Sequence, residues 1–521
     1  MKRVLLSLIA SALVAAVFLA DLNQDEGWYL YAARIFSEGQ RPYRDFFFTQ
    51  GPIFPVVYGA LAPLWAPFGL LGGRLLTALF SFLALLLGAR TASLAAVGDR
   101  GRAALAGIVF LSLTGLNLWY LHFTAIPKAY ALCTFFIASA LWILAKPRAP
   151  GNRYRCWQPL AAGLLLAVLS GVRLSMGILL PVVGLSLLVR RKTLGDTAWL
   201  LFSIGGMLGL VAAYGPALLN TPDAFLAAQQ YHAARAPFGP LAIPGCIARL
   251  VRFNPLAALA VLGSLTLLFI KRKAQATDAT LRNRRLTASG SADTGRSRVA
   301  TATRNHLSFI IHCSLMCAVA LAAVHILAPV PYDDYFIPAL FPLALALAAL
   351  SARRLPAHAL RPLSFAAPAA ALLLTMAASP VAERWFCAGQ DRFWMRLYSE
   401  PQLFVLHRVG RLLRSEADRL GTDTLWTQDT YLAIAAGLRV PAGMEMGPFS
   451  PPCDALAHPE RYKLAAWSGY TASMIFPSLT PTPPVERAAF LERLSEAFPR
   501  TLLRLSDFGQ GATKLTVAAR Q

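Results

Sequence analysis

The sequence predicts a mainly α-helical, polytopic transmembrane bundle of about 11 spans, with amphipathic helices on its outer face and a small C-terminal α/β domain. Three observations lead there. Of the 521 residues, 56% are apolar and 14% charged, too apolar a balance for a soluble globular chain. Apolar stretches of about 15–24 residues recur from position 4 to position 380, the length a helix needs to cross hydrocarbon. After Pro380 the composition changes to that of a soluble domain. The chain therefore divides into a membrane domain, 1–380, and an extracytoplasmic domain, 381–521.

The spans read as 4–20, 73–92, 103–120, 122–145, 158–172, 176–190, 197–215, 254–270, 307–328, 335–351 and 362–380. With the N-terminus in the cytoplasm, the cytoplasmic segments carry 24 Lys/Arg against 4 Asp/Glu. The outer loops carry 9 against 8, and the C-terminal domain 16 against 14. The net charge of +23 is therefore a positive-inside bias and not a nucleic-acid footprint. This pattern fits a multi-pass protein of a bacterial inner membrane whose C-terminal domain is periplasmic.

Residues 1–20, with Lys2-Arg3 before an apolar core, have the layout of a cleaved signal peptide, but the uncleaved first span is the favoured reading because Phe18 occupies the −3 position of a cleavage after Ala20. The stretch 51–70 is apolar but interrupted by four prolines. If it crossed, every later basic loop would face outward, so it is expected to lie on the outer face. Residues 21–72 then form the first periplasmic loop. Residues 271–306, basic and rich in Ser, Thr and Ala, read as a disordered cytoplasmic connector. No repeat is visible, and no pair of broken half-helices at matching positions.

In the C-terminal domain, Leu403, Leu406, Val409, Leu412 and Leu413 line one face of a helix over 401–419. A strand follows over 422–428, then a helix capped by Asp429 and ended by Gly437. A helix over 484–498 and strands over 500–506 and 513–518 complete a small α/β module suited to recognition or scaffolding. The seven cysteines show no metal-ligand spacing; Cys133, Cys313 and Cys317 lie in spans, and Cys387 and Cys453 can pair in an oxidising compartment.

Every one of the 26 Asp and Glu residues falls outside the predicted spans. Proton-coupled carriers keep ionisable groups at mid-membrane, so this weighs against a carrier and turns attention to the outer loops. The first loop predicts a helix over 25–36 that opens on Asp25 and Glu26 and sets Trp28, Leu30, Tyr31 and Ile35 at the interface. Acids are favoured at a helix N-terminus by the dipole, so the pair can serve as a cap. Equally, a carboxylate at the lipid–water boundary can deprotonate an acceptor hydroxyl or hold a divalent ion.

The acidic pair after the first span, the aromatic helix, the Gly-x-x-Pro-Tyr segment from Gly39 to Tyr43 and the apolar helix begun by Gly51-Pro52 resemble the GT-C superfamily. Within it they resemble the family 39 group, which contains protein O-mannosyltransferases and the aminoarabinose transferases of lipid A. The resemblance covers 1–380 in architecture and is specific in motif over 21–58. It implies an inverting membrane glycosyltransferase that takes a sugar from a polyprenyl-phosphate donor to a lipid, glycan or protein acceptor. Asp25 takes the position of the catalytic acid, and Glu26 is its neighbour. Asp45 stands near the place of a second acid for acceptor or metal, although the family's Pro-Pro-Leu is here Gly51-Pro52-Ile53.

Cations at the outer boundary would stabilise a departing phosphate: Lys128, Arg173 and Arg235 stand there, and each can also simply snorkel to headgroups. His232 can join Asp45 on a metal, so a divalent ion stays open as a cofactor. In PVPYDDYFIP, Tyr332 and Tyr335 suit phosphate contact, and Asp333 and Asp334 form a second candidate acidic site. The alternative readings are a lipid or glycan flippase without transferase activity, and a non-catalytic receptor.

Overall fold

The computed structural model describes the chain apart from residues 97–99, 147–156, 192–196, 234–238, 240–241, 264–293, 329–331, 356, 379–384, 387–391, 394–399, 469–483 and 509–512. Helix α1 (Lys2–Leu19) is followed by α2 (Gln24–Ser37), α3 (Ile53–Ala60), α4 (Ala62–Trp65) and α5 (Gly69–Ala95). Then come α6 (Arg100–Thr114), α7 (Leu118–Ala125), α8 (Ala129–Ala145), α9 (Trp157–Ser170) and α10 (Leu179–Val189). The helical part ends with α11 (Ala198–Asn220), α12 (Pro222–Ala233), α13 (Ala242–Phe253), α14 (Pro255–Gly263), α15 (Thr294–Ile326), α16 (Ile337–Arg354) and α17 (Ala357–Ala378).

Among the described residues, five helices are long and apolar enough to cross a membrane, seven if each of two bent pairs counts as one span. Four more apolar helices have 10–17 residues, short for an upright crossing of about 30 Å of hydrocarbon at about 1.5 Å per residue. Length and composition thus support five to seven spans outright, where the sequence predicts eleven.

Three local expectations are corrected. The spans expected over 103–120 and 122–145 are three helices: α6 and α7 meet at 73°, and a further break at 126–128 precedes α8. The side chain of Asn117 caps α7 by accepting from Tyr120 N at 3.1 Å, which stabilises a new helix start there. The second bent pair, α13 and α14, turns through 93° at Asn254, just before Pro255. Broken helices are therefore present, and they touch: Asn117 Nδ2 donates to Asn254 Oδ1 at 2.7 Å and to Phe253 O at 3.0 Å. Of the connector expected over 271–306, residues 294–306 are helical, since adding turns to an existing helix costs far less than nucleating one; 271–293 lie outside the described residues.

The C-terminal part contains β1 (Trp385–Phe386) and β2 (Arg392–Phe393), then α18 (Gln402–Leu420), α19 (Thr430–Ala436), α20 (Asp454–Ala457) and α21 (Pro484–Ala497). Strands β3 (Leu464–Ser468), β4 (Arg500–Phe508) and β5 (Thr513–Ala519) form an antiparallel sheet in the order β3-β5-β4. The strand expected at 422–428 survives as single bridges, Trp426 pairing with Ala465 of β3. The suggested Cys387–Cys453 pairing lies outside the described residues.

This part is seated on α2. Gly27 makes the approach possible, because a Cβ there would lie 2.6 Å from the backbone nitrogen of Tyr431. Around that contact Gln24 Nε2 donates to Asp429 Oδ1 at 3.3 Å and Val440 N donates to Tyr31 Oη at 3.0 Å. Arg34 Nη1 donates to Leu438 O at 2.9 Å. The helix that opens on the acidic pair is thus clamped by residues some 400 positions away in sequence.

Candidate active site

The start of α2 fixes two carboxylates in different places. Asn23 caps the helix by accepting from Asp25 N at 3.0 Å, and Glu26 Oε1 accepts from Asn23 N at 2.7 Å, a reciprocal capping box. Neighbouring helical residues diverge by about 100° around the axis, so Asp25 and Glu26 cannot share a face. Glu26 turns inward and is completely buried. There Arg74 of α5 grips it through Nε–Oε2 at 2.7 Å and Nη2–Oε1 at 2.6 Å. The remaining guanidinium hydrogens go to Val17 O, Ala20 O and Asp21 O at 2.8–2.9 Å, which satisfies the end of α1.

Glu26 is therefore a staple joining α1, α2 and α5, and the structure does not bring it into the cluster around Asp25. Removing one partner of a buried, fully bonded pair strands a charge, so Arg74→Met is expected to cost about 3–5 kcal/mol of stability. Thermal unfolding of the detergent-purified variant measures this; an unchanged transition would contradict the staple.

Asp25 turns the other way and keeps 24% of its side chain exposed. Its Oδ1 accepts from Trp28 Nε1 at 3.1 Å, and its Oδ2 lies 2.8 Å from Lys128 Nζ. Lys128 stands at the N-cap of α8, directly after the break at Pro127, and is buried. The same ammonium donates to Asp334 Oδ2 at 2.9 Å, from the 3₁₀ turn Asp333–Phe336 that leads into α16. That oxygen also accepts from Tyr130 Oη at 2.6 Å, and Arg173 Nη1 donates to the Tyr130 hydroxyl at 3.1 Å.

Four elements thus contribute to one chain of contacts, Asp25–Lys128–Asp334–Tyr130–Arg173. Arg173 occupies the turn between α9 and a 3₁₀ segment, Leu174–Ile178. Its guanidinium lies 4.0 Å from the centroid of the Tyr335 ring and 5.3 Å from that of Tyr130. The turn is pinned against α3, where Ile53 N donates to Gly171 O at 2.9 Å. Gly51 permits this, since a Cβ at that position would fall 2.1 Å from the same oxygen.

The surroundings are aromatic: Trp28 stacks on Tyr29 at 3.8 Å, and Phe48, Phe54 and Phe449 pack against the pair. Burial pushes the Tyr29 phenol well above its ordinary range, so it stays protonated. Chemically the site offers a partly exposed carboxylate beside two cations, one shared between carboxylates and one framed by tyrosines. That combination can accept a proton and hold an anion side by side.

No protein-family model matches the chain, and no curated protein matches it in sequence. Solved structures do match it. The crystal structure of ArnT from Cupriavidus metallidurans bound to undecaprenyl phosphate is similar over 100% of this chain and 99% of its own, at 13% identity and a TM-score of 0.57. The same protein in the apo state gives 14% identity and a TM-score of 0.54 over the same shares. An oligosaccharyltransferase from Archaeoglobus fulgidus, tethered with an acceptor peptide, covers 100% of this chain and 74% of its own at 12% identity and a TM-score of 0.46. The fold is ArnT-like.

Within this ArnT-like fold, Asp25, Lys128, Arg173, Asp334 and Tyr335 are brought together, with Tyr332 edge-on to Tyr335 at 5.3 Å. Asp45 is placed otherwise. It forms ion-paired hydrogen bonds with Arg44 at 2.8 and 3.0 Å and accepts from Arg41 N at 2.7 Å, which holds its carboxyl below the usual range. The side chains of His232 and Asp333 and all of Arg235 lie outside the described residues, so the Asp45–His232 pairing does too. Among the described residues no group of three or more His, Cys, Asp and Glu is arranged to hold a metal ion.

Three participants escaped sequence reasoning. Arg74 and Tyr130 lie inside apolar stretches, where a polar group needs a partner, and that rule alone marks them as candidates. His325, in the last turn of α15, is buried with its ring 5.6 Å from Tyr335, and carries the same signal.

Proposed function

We propose that this protein is a membrane glycosyltransferase that moves a sugar from a polyprenyl-phosphate donor to an acceptor hydroxyl with inversion at the anomeric carbon. Asp25 acts as base. The observation that carries this reading is the 2.8 Å contact of a partly exposed carboxylate with a buried ammonium, in a cluster that also includes Arg173. The similar ArnT structure is bound to undecaprenyl phosphate, an anion of the class these cations would receive.

In the proposed reaction the acceptor hydroxyl gives its proton to Asp25 as its oxygen bonds to the anomeric carbon. The bond from that carbon to the phosphate oxygen breaks, and its electron pair leaves with polyprenyl phosphate. Charge on the phosphate grows as the bond breaks, so Lys128 and Arg173 stabilise the transition state more than the bound donor. Arriving phosphate competes with Asp25 for Lys128 and thereby frees the carboxylate to work as a base. Asp334 and Tyr130 position Lys128 throughout. We place the site at the outer face of a bacterial inner membrane, with residues 381–521 as a periplasmic domain that holds α2.

A second reading, a lipid or glycan flippase, draws support from the two bent helix pairs that meet at Asn117 and Asn254. Against it, the residues of the cluster stand at helix ends and turns: Asp25 in the first turn of α2, Lys128 at the cap of α8, Arg173 and Asp334 in short 3₁₀ connections. Such positions belong to one boundary of a bundle and not to a path through it. Arg173→Gln separates the two readings. It is expected to weaken binding of undecaprenyl phosphate by about tenfold, the loss of one charge-assisted contact, and to slow sugar transfer. If the variant binds equally and its only defect is in lipid crossing of reconstituted vesicles, the flippase reading replaces the transferase.

A further inference from the structure

A cleft lies away from the Asp25 cluster, between the start of α5 and the pair α18–α19. Its volume is about 610 Å³, within the range of ligand sites. The floor is apolar, built from Leu70, Leu403, Leu406 and Ile434, and the rim carries His407, Arg411 and Arg414. We propose that it binds an anionic diacyl phospholipid of the surrounding membrane, with the phosphate at His407 and Arg411 and the acyl chains on the floor.

Three observations support that occupant. The first is placement. Helix α5 belongs to an apolar span running from Ala62 to Ala95, and Phe404 of α18 meets Phe18 at the end of α1 at 6.0 Å. The cleft thus sits where two apolar helices end. The second is its mouth: the lining residues Phe68 and Phe404 are 67% and 48% exposed, a cost in water but the natural state at the headgroup–acyl boundary.

The third is charge. Arg408 pairs with Glu400 at 2.6 Å and Arg414 with Asp418 at 2.9 Å, whereas Arg411 and His407 make no hydrogen bond or ion pair among the described residues. An exposed cation over an apolar floor is complementary to a lipid with an anionic head and not to a zwitterionic one. Such a lipid would brace α18 and α19 against α5, and α19 in turn bears on α2 through Gly27.

The test uses the full-length protein in phosphatidylcholine nanodiscs containing a diazirine-bearing phosphatidylglycerol probe, with the adduct mapped by peptide sequencing. Labelling is expected within 66–71 and 403–414, with native protein retaining phosphatidylglycerol there and not an equivalent phosphatidylcholine probe. The double substitution His407→Gln/Arg411→Gln, at two exposed positions, should lower that labelling about tenfold, as expected when charged contacts to an anionic headgroup are removed. Undiminished labelling in the variant, equal labelling by phosphatidylcholine, or loss of the label to millimolar inorganic phosphate would each overturn the proposal; the last would make the cleft a site for free anions.

Discussion

Asp25→Asn is expected to slow sugar transfer by about 10²- to 10⁴-fold, the usual contribution of a positioned general base. The variant should fold normally. Asn can still accept from Trp28 Nε1, and Lys128 keeps Asp334 as its partner. Asp25 is also partly exposed, so its loss leaves no uncompensated buried charge. Donor binding should change little or tighten, because the phosphate no longer competes with a carboxylate for Lys128. A steady-state comparison of kcat and KM for the donor reads both effects: kcat falls and KM does not rise. A variant with native kcat would remove Asp25 from the mechanism and direct attention to Asp334.

Lys128→Met is expected to reduce transfer by about 10²- to 10³-fold, the scale seen when one preorganised stabiliser of developing charge is removed. Here stability is a confounding effect. Asp334 is 1% exposed and pairs with Lys128 at 2.9 Å, so the single variant removes that counter-charge from a buried carboxylate. The double variant Lys128→Met/Asp334→Asn removes both charges and should recover the thermal transition without recovering transfer. Recovery of both together would mean that Lys128 serves the fold alone.

The sequence made some of this legible. Helix α2 was expected over 25–36 and runs over Gln24–Ser37; α18 was expected over 401–419 and runs over Gln402–Leu420. Helix α18 is amphipathic and its periodicity survives because one face is buried, whereas α2 is buried on nearly every side and is marked by the acidic pair at its start. Asp25, Lys128, Arg173 and Asp334 were found singly because charge at the edge of an apolar stretch is conspicuous. That they form one cluster was not legible, since Lys128 and Asp334 are 206 positions apart.

Glu26 shows the converse. Beside Asp25 in sequence, it is turned away by the helical repeat, and its partner Arg74 lies 48 residues on. Strand β3 was missed because all five of its residues are buried, which erases the alternation by which a strand is read. The helix breaks were missed where local signals existed: Gly115 and Asn117 in one pair, Asn254-Pro255 in the other. Apolar composition continues through both breaks and hides them from a reading by hydropathy.

The central claim is glycosyl transfer from a lipid-linked sugar with inversion. Its most direct test is to give purified native protein polyprenyl-phosphate sugars of defined anomeric configuration, with a membrane-lipid extract as mixed acceptor, and to determine the product's configuration by NMR. One donor should be consumed, polyprenyl phosphate released in equal amount, and the product should carry the opposite configuration. Retained configuration, or lipid crossing a bilayer with no donor consumed, would contradict it.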